Sequence, residues 1–175
     1  MNAVAPARGS SGKTIPEPPK TLIEIAPKLG VTDPAGESTL RQLPLLGIKG
    51  LREVRVSTIY EITGKYSSAN INQIARELLT DPITQDHRIE KSTPSAAFMM
   101  GPHHRVEVWL KETVSDPTGE STQRAIASLG LNEPVRVRTA HAYHFIGRLS
   151  KPQITKIVDK LLSNPVIHLT KVTQR

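Results

Sequence analysis

The chain has no cysteine, and its 175 residues include only two phenylalanines, three tyrosines and one tryptophan. Without thiols neither a disulfide framework nor a thiolate metal site can form, and a cytoplasmic address is the expectation. No apolar run approaches the roughly 20 residues of a membrane helix, and the first residues lack the basic-then-apolar order of a secretory signal. Aromatics at 3% are too few for the stacking platforms of single-strand binders. The net charge of +7 is therefore not read as a nucleic-acid footprint. Its distribution agrees, because residues 1–20 hold three bases and one acid (+2), 21–91 nine and nine (0), and 92–175 eleven and six (+5). The excess sits in the second repeat and reads as a solvated basic surface or one that meets an acidic partner protein. Also missing are a nucleophile elbow, a phosphate-binding glycine loop and a His-Glu-x-x-His zinc motif. Gly12-Lys13-Thr14 copies only the end of a phosphate loop, with no first glycine and no strand before it.

What is present is a tandem repeat. Asp33-Pro34-Ala35-Gly36-Glu37-Ser38-Thr39 returns as Asp116-Pro117-Thr118-Gly119-Glu120-Ser121-Thr122, an offset of 116 − 33 = 83. Laying Thr21 to Ile83 over His104 to Val166 without a gap matches 22 of 63 positions. The identities fall at special backbone positions (Gly47/Gly130, Gly64/Gly147, Pro82/Pro165) and at apolar ones (Ile71/Ile154, Ile74/Ile157, Leu78/Leu161). A fold unit of about 80 residues has been duplicated. The division is a disordered Ala, Pro, Gly and Ser-rich tail (1–20), a first repeat (21–91), a linker (92–103) and a second repeat (104–175). The linker's Phe98-Met99-Met100 is too apolar for a free tether and is expected to lie against a module or a partner.

Leu22–Ala26 and Val106–Leu110 read as strands. Pro27 stands where the second repeat has Leu110, which predicts a first strand that stops sooner or lies at an edge. Asp33 and Asp116 suit helix N-caps, with Pro34 and Pro117 at the first helical position. Gly130 suits the turn that ends the second-repeat helix, whereas Pro44 should kink or shorten its first-repeat counterpart. Two extended segments follow in each repeat, around 54–56 with 59–63 and 135–139 with 142–146, as one long strand or a broken pair. Ser150 with Gln153 makes a capping box before an amphipathic helix reaching Leu162, and Ser67 opens its counterpart. Closing strands are predicted near Gln85–Glu90 and Val166–Val172. The unit reads β-α-β-β-α-β, an α+β fold with antiparallel-dominated sheets and both helices on one face.

Catalytic and metal-ligating constellations do not emerge. His103 and His104 are adjacent in the predicted linker, and His141 and His144 on a strand would face opposite ways, so no ligand set converges. Asp116 with Glu120, and Asp33 with Glu37, could pair for acid–base work. Helix capping and a favourable charge at a helix start account for both pairs. On that reading Asp116→Asn should be nearly silent and Asp116→Ala should cost stability. The residues alone describe a non-catalytic α+β binding module with no metal or cofactor of its own.

Glu107-Val-Trp-Leu-Lys-Glu-Thr-Val-Ser-Asp-Pro-Thr-Gly-Glu-Ser-Thr-Gln-Arg-Ala-Ile126, Leu129-Gly-Leu-Asn-Glu133 and Leu161-Leu-Ser-Asn-Pro-Val166 resemble the small PurS-type subunit of phosphoribosylformylglycinamidine synthase. The first repeat resembles it more distantly through Asp33–Gly36, Glu53–Val56 and Leu78–Ile83. The family's Gly-Lys after the central Val-Arg-x is replaced by Ser57-Thr58 and by Ala140-His141. The resemblance implies a non-catalytic assembly subunit of an ATP- and glutamine-dependent ligase of purine biosynthesis. It would bridge a synthetase subunit, which uses ATP and Mg, and a glutaminase subunit, and would support ammonia transfer between them. The ungapped repeat itself predicts two modules paired within one chain as a pseudo-dimer, mainly monomeric in solution. Asp33, Pro34, Gly36, Asp116, Pro117 and Gly119 are candidate interface positions, and Arg136 and Arg138 candidate partner-surface bases. The alternative is a tandem regulatory module binding an amino-acid effector between repeats, with RNA binding a weaker third.

Overall fold

The computed structural model describes residues 18–90 and 103–174, with the side chain of Gln174 left aside. Most of the predicted tail and the Phe98–Met100 segment lie outside the described residues. The first repeat comprises β1 (Lys20–Pro27), α1 (Pro34–Gln42), β2 (Glu53–Thr63), α2 (Ser68–Gln73) and β3 (Gln85–Glu90). The second comprises β4 (His103–Leu110), α3 (Pro117–Ser128), β5 (Arg136–Ile146), α4 (Lys151–Ile157) and β6 (His168–Gln174). The strands form one antiparallel sheet in the order β3-β1-β2-β5-β4-β6. No described helix is long and apolar enough to cross a membrane.

The two extended segments of each unit are halves of a single 11-residue strand. Their Val, Ile, Thr and Tyr residues suit a pleated sheet, and side chains on both faces are buried, Val54 and Phe145 on one and Ser57, Ile59 and Ala142 on the other. They pair along their whole length, and Thr58 faces His141. Since 141 − 58 = 83 is the repeat offset, these two residues are equivalents and the pseudo-twofold axis passes between them.

Local chemistry sets the helix ends. Pro44 closes α1 into a 3-10 turn, Leu43–Leu46, which Gly47 ends at φ 72°; without a proline α3 runs 12 residues to Ser128. The helices opened by Ser67 and Ser150 do not stay α-helical to their last apolar residue. Both finish in a π-helical turn, Ile74–Leu79 and Val158–Leu162. Three expectations change. Pro27 neither shortens β1 nor puts it at an edge, because pairing with β2 ends at Ile25 and a missing amide is tolerated where one flank is free. β6 starts at His168, not Val166, because Asn164-Pro165-Val166 forms a turn in which the Val166 amide bonds Asn164 Oδ1 at 2.9 Å. His103 and His104 belong to β4, not to a linker, and both are buried.

The helices cover one face, and neither repeat completes its own core. One cluster joins Leu43, Ile48 and Val54 of the first repeat to Val106, Phe145, Ile154 and Ile157 of the second. The other joins Ile23, Ile62, Ile71 and Ile74 to Ile126 and Val137. Tyr66 donates to the carbonyl of Asn132 and Lys156 to that of Leu46, tying the cores across the repeat boundary. The chain should therefore unfold as one unit. Far-UV CD and the fluorescence of the single tryptophan should give coincident urea transitions, and Ile126→Ala should lower the unfolding free energy by about 2–5 kcal/mol without splitting them. Separate transitions would mean independent modules.

Candidate functional site

The repeated Asp-Pro-x-Gly motif is a clamp between helix and central strand. Asp33 Oδ1 accepts from the Gly36 amide at 2.9 Å and Oδ2 from the Val56 amide at 2.7 Å. Asp116 does the same with Gly119 at 2.8 Å and Thr139 at 2.6 Å, and the Thr139 hydroxyl adds a further bond. Pro34 and Pro117 start the two helices. Gly36 and Gly119 let the helices close on the strands, since an added Cβ would stand 2.1 Å from the Val54 carbonyl oxygen and 2.5 Å from that of Val137. Both carboxylate oxygens of each aspartate thus accept a backbone amide proton, one from the helix and one from the central strand. This also corrects the expectation for Asp116→Asn, because an asparagine offers one acceptor where two donors point.

Two arginines are pseudo-symmetry mates in a similar role. Arg55 donates to the carbonyls of Pro27 and Lys28, and Arg138 to that of Leu110 at 2.9 Å. Arg138 also stands over the Trp109 ring at 5.4 Å and between Glu61 and Glu112. Its side chain is 18% exposed, so it is not a free surface base; Arg136, at 45%, is the more open of the two candidates.

Beside the axis lies a cleft of about 420 Å³, with Thr58, Tyr60, His141 and Tyr143 on its strand floor and Asp33, Pro34 and Leu79 on its wall. Partial burial lowers the pKa of His141 against the pull of Asp116, which favours the neutral imidazole. Burial raises the Tyr60 phenol, and Asp116 raises it further. The floor thus presents uncharged donors and acceptors between two anionic clamps. It can bind by hydrogen bonds.

The opposite face, which bears no described helix, carries a buried polar cluster that spans both repeats. Arg105 reaches Glu24 at 2.6 Å and Glu107 at 3.0 Å. Ser57 donates to Glu24 and lies 3.1 Å from His144 Nε2, which is 3.4 Å from Glu24. The residue types match a nucleophilic triad but the wiring does not. Hydroxyl and carboxylate crowd the same imidazole nitrogen, the hydroxyl proton is given to the carboxylate, and Nδ1 has no partner among the described residues. Burial alone would raise the Glu24 pKa, but hydrogen bonds from His144, Arg105 and Ser57 and the arginine charge bring it down to about 2. Burial lowers that of His144. The cluster is a buried ion network. Its only sequence signal is the alternation that puts Glu24, Arg105 and Glu107 among apolar strand residues, which gives no hint of their mutual contact.

Two measurements test these assignments. Alanine for glycine in a helix ordinarily stabilises by roughly 0.5–1 kcal/mol; Gly119→Ala should instead destabilise by about 1–3 kcal/mol, and Asp116→Asn by a similar amount, in denaturant titrations. For Glu24 the folded pKa of about 2 lies below the reference value of 4.5. Its contribution is complete above pH 4.5 and is lost as the pH falls toward 2. Glu24→Gln should be less stable at neutral pH and should flatten that acid limb; an unchanged limb would place the titration elsewhere.

A sequence profile described as PurS, phosphoribosylformylglycinamidine (FGAM) synthase, matches residues 20–93 and again 103–175. The phosphoribosylformylglycinamidine synthase subunit PurS of Archaeoglobus fulgidus is 33% identical to the chain over 67 residues, covering 35% of this chain and 84% of that subunit. The profile matches once in each half, and the halves share one clamp, one strand order and one helix arrangement. The chain therefore belongs to the PurS family of phosphoribosylformylglycinamidine synthase, with two copies of the family's fold in one polypeptide.

Proposed function

We propose that the chain is a non-catalytic assembly subunit of a phosphoribosylformylglycinamidine synthase complex in purine biosynthesis, bridging synthetase and glutaminase subunits and supporting ammonia transfer. The observation that carries this reading is the family match over both repeats. The geometry supports a scaffolding role. The carboxylates of the repeated motif are occupied as clamps, and the one Ser-His-Glu grouping is buried and wired as an ion network. ATP and Mg, in this reading, are used by the synthetase partner. Arg136, half exposed and only loosely paired with Glu112 at 3.4 Å, remains available as a contact for that partner. The effector-binding alternative is tied to the axis cleft, whose uncharged floor could accept a small polar ligand.

Omitting the chain from a reconstituted complex should abolish most glutamine-driven amidine formation, while high external ammonium should restore part of the rate through the synthetase alone. Equal glutamine-driven rates with and without the chain would exclude the bridging role. Saturable shifts of Tyr60 or His141 resonances with a free amino acid would instead favour the effector reading.

A further inference from the structure

The sheet has two edges, β3 and β6, and because they are repeat equivalents each serves as a control for the other. β3 is guarded. Its Asp86 puts a charge on the edge, Ile89 packs against a core cluster, and Arg88 and Glu90 lie 3.6 Å apart with 11% of each side chain exposed. At the matching places β6 has Leu169, exposed by 51%, and Val172, exposed by 49%, on opposite faces of the strand. Just before the strands the edges are alike, with Val166 75% and its counterpart Ile83 80% exposed, so the difference lies within the strands themselves. No strand among the described residues pairs with the outer side of β6. A row of unpaired amides and carbonyls, flanked on both faces by exposed aliphatic side chains, is the template on which extended segments bind.

Charge separates the two edges further. Residues 68–90 hold two bases and four acids (−2), whereas the equivalent 151–173 hold four bases and one acid (+3). Lys160 and Lys171 enter no ion pair among the described residues. The start of the strand is fixed in advance, as it is at β3: Lys111 bonds the Pro165 carbonyl at 2.5 Å and the His168 amide bonds that of Asn164 at 2.8 Å, just as Lys28 bonds the Pro82 carbonyl and the Gln85 amide that of Asp81, so charge and exposed side chains alone distinguish the two edges. Pre-ordering of this kind lowers the entropic cost of adding a strand.

We infer that β6 is the docking strip for an extended, carboxylate-bearing segment of a partner subunit, which joins the sheet as a seventh strand with its acids near Lys160 and Lys171. The inference rests on the assembly-subunit reading and names where a partner is held. A second copy of the chain is the poorer occupant. Two β6 strands would bring like-charged corners together, and the β3 edge of another copy is closed by its own charges.

The test measures binding of purified synthetase and glutaminase subunits to the full chain by calorimetry. Leu169→Asp, and separately Lys160→Glu with Lys171→Glu, should each weaken one of the two associations roughly tenfold or more, while Asp86→Lys on the guarded edge leaves both unchanged. Thermal midpoints equal to wild type show that the fold is kept; where Leu169→Asp lowers the midpoint, the lysine pair alone decides. Wild-type affinity in the lysine pair overturns the inference while leaving the assembly reading intact. Wild-type chain that binds neither subunit overturns the assembly reading and this inference with it. Light scattering in which the chain self-associates and Leu169→Asp abolishes this would assign the strip to a second copy and also overturn the inference.

Discussion

The ladder between β2 and β5 is where two halves of a sequence become one body. Its register puts Thr58 against His141 and thereby decides which helices meet: α1 with α4 above one end of the strands, α2 with α3 above the other. A slip of one residue would turn Val54, Ile62, Val137 and Phe145 from the helix-covered face to the other and empty both cores together. The clamps depend on the same register. Asp33 and Asp116 reach the amides of Val56 and Thr139, which are strand residues placed by that pairing. Helix position, core composition and strand order therefore follow from one ladder.

Much of this was legible in the sequence because it rests on local chemistry repeated twice. Aspartate before proline, serine three residues before glutamine, and glycine after an apolar turn each act within a few residues, so each can be read without knowing the fold. The repeat turned two uncertain readings into one confirmed by its copy. Misreadings arose where a residue's role was decided from the other side of the molecule. Arg138 looks like a free base in sequence, but its partners are the Leu110 carbonyl and the Trp109 ring, 28 and 29 positions away. Pro27 looks like a strand breaker until the neighbouring ladder is seen to have ended two residues earlier. The ion network was invisible for the same reason, since Glu24 and Arg105 are 81 positions apart.

That network also records how far the repeats have diverged. Glu24 and Glu107 are equivalents under the offset of 83, and both bond Arg105, whose own counterpart is Leu22. One guanidinium thus serves two mates from opposite halves. Two first halves paired together would set Glu24 against Glu24 with no arginine between them, a buried like-charge contact of the kind proteins avoid. The pairing of unlike halves is written into the side chains as well as into the connecting peptide.

On the twofold axis of a true homodimer a residue can face only itself. Here the axis pair is threonine against histidine, and the edges it relates are one acidic and guarded, the other basic and open. Fusion has given the body a left and a right. A partner approaching along the axis meets two half-turn orientations that are no longer equivalent, so binding fixes direction as well as place. A pair of identical subunits would leave that choice to chance.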